Sequence, residues 1–230
     1  MGKEVSTKIR GIIFDFNGTL FFDSDKHEYA WKKISQAFRS DPFSNEEMST
    51  YVHGRTNRSI LEYLFQHEIS DDLLNDYVLI KENYYKQACL EDPVNMKLVN
   101  GAVELFEYLM AKNIRINIAT AAEITNLNFF NKQFGLETWF DKNKIVYDDF
   151  NIRSKPAPDM FLKAADNIGV NPSNCLVFED SESGIIAAKN AGISKIVIID
   201  PSGDKSRFLN NPDVAQIITD FTKFDRSCLG

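Results

Sequence analysis

Six short apolar runs punctuate this chain: GIIFDF (11–16), IRINIAT (114–120), KIVY (144–147), CLVFED (175–180), KIVIID (195–200) and VAQIIT (214–219), the last the weakest. Short apolar runs rich in β-branched residues, bounded by turn signals, predict buried strands. Helix patterns fill the spaces between the later runs. GAVELFEYLMAKN (101–113) carries apolar residues at helical spacing, and ITNLNFFNKQFG (124–135) ends on a glycine suited to a helix C-terminus. PDMFLKAADNIG (158–169) opens with proline and closes with glycine, and SGIIAAKNAG (183–192) has the small residues that close packing on a sheet requires. Strands alternating with helices predict an α/β fold: a Rossmann-like parallel sheet built from right-handed crossovers.

One region breaks the alternation. No strand pattern occurs from about Asp23 to about Cys89. DKHEYAWKKISQAF, NRSILEYLFQHE and DDLLNDYVLIKENYYKQACL all read as helices, the last with Ser70 as N-cap. Ser44 and Glu47 form a capping-box pattern ahead of a further short helix. Trp31 and Phe38 share a helical stripe and are expected in the core of this region. The expected organisation is therefore a core domain from residues 1–21 and 93–230, interrupted by an inserted α-helical cap domain, 22–92, with Asp92-Pro93 as the return hinge.

Charge and composition narrow the function. Net charge is -7 over 230 residues, and no Lys/Arg run is present, which argues against a nucleic-acid or membrane-surface partner. Cys89, Cys175 and Cys228 are few, odd in number and far apart, as in a reducing compartment. The polar start MGKEVSTKIR reads neither as a signal peptide nor as a membrane helix, and the expected location is the cytoplasm. Met1-Gly2 followed by Ser6 superficially fits a myristoylation pattern, but Gly2 is also a common start residue.

Polar residues cluster at the predicted strand ends. Asp15 closes the first run, Thr120 closes the second, Lys155 lies in the loop SKPAP, and Glu179-Asp180 close the fourth. In a parallel sheet these ends share one edge, where open α/β folds bind ligands. Each residue alone has a plain structural use, as turn former, cap or solvated lysine. Taken in order, the set suits a Mg²⁺ site beside a phosphate site, because Mg²⁺ favours carboxylate and carbonyl oxygens completed by a phosphate. Asp15 could then attack phosphorus, Thr120 could bind phosphoryl oxygens, and Lys155 could neutralise the developing charge.

At this level DFNGTL, IAT, SKPAPDMF and VFEDSESGIIAAKNAG resemble, in order, the four motifs of the haloacid dehalogenase superfamily. KPAPDMF and EDSESG look most like its β-phosphoglucomutase and phosphatase-like branch, and the resemblance covers nearly the whole chain. It implies Mg²⁺ and phosphoryl transfer through an aspartyl-phosphate. By position it makes Asp15 the nucleophile. It makes Asp15, the main-chain carbonyl of Asn17 and Asp180 metal ligands, with Glu179 at or near the metal. It makes Thr120, Ala121 and Lys155 the phosphate-binding residues.

The departure from that pattern is Asn17, where the family's usual general acid and base is an aspartate. A main-chain metal contact survives the change. Proton transfer does not, and it is typically worth about 10²–10⁴-fold. The expected function is hydrolysis of a small phosphorylated metabolite, such as a sugar phosphate, weakened by Asn17. The alternatives are a phosphosugar mutase and a catalytically weak phospho-ligand-binding protein. A phosphorelay receiver also uses a strand-end aspartate, a lysine and Mg²⁺, but the long insert and the late Glu179-Asp180 pair disfavour it. In this branch the cap selects the substrate. His27 resembles the family's hinge histidine in its spacing, and Arg55 and Arg58 in HGRTNRS could meet a distal anion or simply be solvated. The expected state is a monomer.

Overall fold

The computed structural model describes residues 8–53, 55–149 and 151–230, so the amino-terminal readings above lie outside the described residues. The chain divides into two compact units, Met1–Phe22 with Lys97–Gly230, and Asp23–Met96.

The first unit is built on six parallel strands: β1 (Gly11–Phe14), β2 (Arg115–Glu123), β3 (Val146–Asp148), β4 (Cys175–Glu179), β5 (Lys195–Ile199) and β6 (Val214–Ile218). Their spatial order is β3-β2-β1-β4-β5-β6, the doubly wound arrangement whose order reverses beside β1. All four residues of β1 are buried, as expected of a central strand covered on both faces. Phe14 stacks on Phe178 of β4 with ring centroids 5.1 Å apart and meets Phe106 edge-on at 5.2 Å. On the sheet Ile13, Val177, Ile196 and Ile198 belong to one continuous core with the helical residues Met160, Phe161, Ala164 and Ile185. The small residues of the last predicted helix serve that packing, since Ala187 and Ala188 are both fully buried.

The second unit is helical: α1 (Ser24–Arg39), α2 (Asn45–Glu47) running into a π-helical stretch (Met48–Val52), α3 (Asn57–Phe65) and α4 (Asp71–Glu91). Trp31, Ile34, Phe43, Ile60 and Leu61 form its core. The Ser44–Glu47 capping box is present with both reciprocal bonds, and the Ser70 hydroxyl caps α4 by accepting from the Leu73 N–H. Phe38 departs from expectation. Trp31 is buried, but Phe38 in the last turn of α1 is 43% exposed and only meets Phe65 and Tyr77 edge-on. The stripe was right, but it runs past the end of the core.

The remaining helices return to the first unit: α5 (Ala102–Ala111), α6 (Ile124–Phe134), α7 (Asp159–Asn167) and α8 (Glu182–Asn190). No helix among the described residues is long and apolar enough to cross a membrane.

Candidate active site

The site grows out of the carboxyl ends of β1 and β4, at the point where the strand order reverses. Phe14 is the last residue of β1, paired with Ile118 on one side and Phe178 on the other. Asp15 follows it, and its main-chain N–H is still held by the Phe178 carbonyl at 3.0 Å. The chain then turns at once. The Phe16 carbonyl accepts from the N–H groups of Leu20 (2.8 Å) and Phe21 (3.0 Å), and Gly18 donates to the Phe21 carbonyl at 2.7 Å. Gly18 adopts φ 77°, and a Cβ there would lie 2.2 Å from Asp180 Oδ2. A glycine is needed for both reasons: the left-handed backbone and the close approach of Asp180.

Lys155 ties the edge together. Its Nζ donates to Asp15 Oδ1 at 2.5 Å and to Glu179 Oε1 at 2.6 Å, and its side chain is 7% exposed. Carboxylate oxygens of Asp15, Glu179 and Asp180 lie within 4.8 Å of one another. Three carboxylates thus face one ammonium. Burial pushes the Asp15 carboxyl up to about 7; Lys155 opposes the shift and Glu179 adds to it. Burial, then Glu179 and Asp15, push Asp180 well above the usual carboxylate range. Burial also works against charge on Glu179 and Lys155, but Lys155 holds Glu179 below its ordinary value, and Asp15, then Glu179, raise Lys155 above its own. The surplus of negative charge and an all-oxygen donor set fit a hard divalent cation such as Mg²⁺.

Thr120 lies inside β2 rather than at its end. β2 continues to Glu123 because it runs on beside β3, pairing Glu123 with Asp148 after β1 has stopped. The Thr120 hydroxyl, buried, accepts from the Ala122 N–H at 3.0 Å and donates to Asn17 Oδ1 at 3.4 Å. Ala121, next along, is exposed. The contacts thus join Asp15, Lys155, Glu179 and Asp180 in one group and Asn17 with Thr120 in a second pair.

The residues named in the helical unit sit differently. His27 stacks on Tyr85 at 4.2 Å, places Nε2 3.3 Å from Asp23 Oδ2, and accepts from Lys81 Nζ on Nδ1 at 2.8 Å. Arg58 donates to the Ile69 carbonyl at 2.7 Å and pairs with Asp71, which ties α3 to the start of α4. Arg55 is exposed and reaches the Thr50 carbonyl at 3.5 Å. Sequence reasoning passed over Ser181 and Gly184, both of which meet Glu179. The signal available was the serine N-cap pattern at the start of α8.

A family model for haloacid dehalogenase-like hydrolase matches residues 9–192. The chain belongs to this haloacid dehalogenase-like hydrolase family. It is 27% identical to a probable pseudouridine-5'-phosphatase of Drosophila melanogaster over 96% of this chain and 95% of that one. It is 30% identical to a (DL)-glycerol-3-phosphatase 2 of Arabidopsis thaliana over 94% of this chain and 89% of that one. Among solved structures, a HAD hydrolase, family IA, variant 3 from Entamoeba histolytica HM-1:IMSS superposes with a TM-score of 0.91. That structure is 36% identical and covers 96% of this chain and 97% of its own. The chain is a haloacid dehalogenase-like hydrolase with a Rossmann-like core, and its named relatives include phosphatases.

Proposed function

We propose that the protein is a Mg²⁺-dependent phosphohydrolase that acts on a small phosphorylated metabolite through an aspartyl-phosphate on Asp15. The observation that carries this reading is Lys155 held 2.5 Å from Asp15 within a group of three converging carboxylates. Asp15, the main-chain carbonyl of Asn17 and Asp180 would hold the cation, with Glu179 beside them. Bound there, Mg²⁺ would supply positive charge against the repulsion between carboxylate and phosphate.

This chain's own residues do the rest. An Asp15 oxygen attacks phosphorus, the bond to the leaving oxygen breaks, and that oxygen takes up a proton from solvent water. Lys155 spreads the negative charge of the transferring group. Thr120 and the main chain at Ala121 bind phosphoryl oxygens. Water then attacks the aspartyl-phosphate, releases phosphate and restores Asp15. Asn17 neither gives the first proton nor takes the second, so substrates with good leaving groups are favoured. The deciding experiment is a phosphatase screen over a panel of phosphorylated metabolites with fresh protein. Release of phosphate that needs both Mg²⁺ and Asp15 supports the reading, and its absence across the panel defeats it. Asn17 also favours a second reading, a protein that binds a phosphorylated ligand and turns it over weakly. Saturable ligand binding without turnover in the same panel would select it.

A further inference from the structure

The amino edge of the sheet, opposite the candidate active site, has a gap of its own. β3 pairs with β2 only from Ala119 onward, so the first residues of β2 have no strand on that side. Asn117 makes up part of the loss. Its Oδ1 accepts from the Ile118 N–H at 2.9 Å, and its Nδ2 donates to the Lys144 carbonyl at 2.8 Å. Toward the amino end of β2 the gap opens into a cleft of about 640 Å³, formed by the ends of α5 and α7, the start of β2 and the loop before β3. That volume lies within the range of small-molecule sites.

The lining has three chemistries. Ile114, Ile116 and Ile168 are apolar, and Trp139 adds a half-buried aromatic ring that packs on Phe106 with centroids 5.5 Å apart. Arg115 supplies a fixed cation. Its Nη1 donates to the carbonyls of Ile168 at 2.7 Å and Gly169 at 2.9 Å, while Nε and Nη2 have no partner among the described residues. Asp166 supplies an anion in an unfavourable place. It lies in the last turn of α7, at the negative end of the helix dipole, and that turn holds no basic residue. Its exposed carboxylate has no partner among the described residues. Lys144 and Asp141, also in the lining, pair with each other at 3.7 Å. The charges left to meet a ligand are therefore one of each sign.

We propose that this cleft binds a zwitterionic aromatic molecule with the chemistry of an aromatic amino acid. Its carboxylate meets the open edge of Arg115, where two parallel hydrogen bonds can form. Its ammonium meets Asp166, and its ring lies against Trp139 and the isoleucines. A ligand with only a negative charge would leave Asp166 unanswered, and one with only a positive charge would leave Arg115 unanswered. The site is independent of the proposed function, since it shares no residue with the carboxylate group around Asp15.

Fluorine NMR of the full chain labelled with fluorotryptophan tests this. The chain has two tryptophans, Trp31 and Trp139. Trp139→Phe assigns the second signal, and Trp31, in the core of the helical unit, is the internal control. The probes are L-phenylalanine, phenylpropionate, phenethylamine and L-alanine. L-phenylalanine should move the Trp139 signal saturably and leave that of Trp31 in place. Phenylpropionate and phenethylamine each lack one charge and should bind at least about tenfold more weakly. L-alanine, which lacks the ring, should produce no saturable shift. Asp166→Asn keeps the side-chain shape and should weaken L-phenylalanine about tenfold, and Arg115→Lys, which keeps the charge but loses the fork, should do the same. If Arg115→Lys does not fold, Asp166→Asn decides alone. No saturable Trp139 shift with L-phenylalanine overturns the proposal. So does equal affinity for the three ring-bearing probes, or an L-phenylalanine affinity unchanged in Asp166→Asn.

Discussion

The two units bury charge in opposite ways. In the helical unit the buried charged side chains are Asp23, Lys26, Lys81 and Glu82, two of each sign. Each is answered locally: Lys26 by Asp92 at 2.6 Å, Lys81 by Glu82 at 2.7 Å, and Asp23 by the Tyr85 hydroxyl at 2.5 Å. At the carboxyl edge of the sheet, Asp15 and Glu179 both bond the ammonium of Lys155, and Asp180 adds a third carboxyl to the same group. Buried charges are tolerated when paired and costly when not. The helical network is therefore complete in itself and reads as structure. The sheet edge has more carboxyl groups than cations, and the proposed cation site rests on that difference.

The largest expected effect lies on the incomplete side. Asp15→Asn should remove phosphatase turnover to background, with or without a change at position 17, because no other group supplies the attacking oxygen. Steady-state phosphate release measures it. Substantial turnover remaining in Asp15→Asn would place the nucleophile elsewhere.

On the complete side, removing one partner should cost stability and leave the cation response intact. Lys81→Met takes the ammonium from Glu82 and from His27. It should cost about 3 kcal/mol, the lower end of the range for breaking a buried pair. At a hundredfold excess over its Kd, Mg²⁺ should stabilise both the unsubstituted protein and Lys81→Met by about 2.7 kcal/mol. Urea denaturation with and without Mg²⁺ gives both numbers. A Lys81→Met protein that has lost the Mg²⁺ increment would mean that the two networks are coupled, and the comparison would fail.

The next effect concerns Asn17, which the proposed mechanism leaves without a part in proton transfer. Asn17→Asp should raise turnover of an unactivated phosphate monoester by roughly 10²-fold. The gain should be smaller for an aryl or acyl phosphate, whose leaving group needs little protonation. Asn17 precedes Gly18, and Asn-Gly readily deamidates, so mass spectrometry must accompany the kinetics. Equal rates on the unactivated ester would show that proton transfer at this position does not limit the reaction.

Much of this architecture was legible because it rests on local signals. Each of the six apolar runs overlaps a strand: β1, β4, β5 and β6 lie inside their runs, while β2 and β3 run past theirs. The capping box of Ser44 and Glu47 was visible as a four-residue pattern and is formed. The strand order was not legible, since no local pattern says that β4 inserts beside β1. The extension of β2 to Glu123 was missed for the same reason, because only its pairing with β3 sustains it. The strand-end residues Asp15, Lys155 and Glu179 could be placed at one edge by parallel topology alone, and the structure brings them into contact. The need for glycine at 184 is a matter of space beside a carboxylate, which sequence spacing does not display.

The smallest effect sharpens the comparison at a wet site. Glu47 is held much as Glu179 is, by a cation and a main-chain N–H: Arg39 pairs with it at 2.7 and 2.8 Å, and the Ser44 N–H donates at 2.8 Å. Its side chain is 21% exposed, so water screens the pair and the gain is modest. Arg39 first, then the Ser44 N–H, hold the Glu47 carboxyl well below its ordinary value of 4.5. The folded state therefore favours the ionised form. Its contribution is fully present above the ordinary value and is lost as pH falls below it. Ser44→Ala should cost about 1 kcal/mol near neutral pH by removing the cap of α2. Glu47→Gln should be less stable than the unsubstituted protein near neutral pH, and the gap should narrow as the pH is lowered into the range where Glu47 protonates. Urea titrations across that range read the gap directly. A gap that stays constant with pH would show that the ionised carboxylate adds nothing beyond its shape and neutral hydrogen bonds.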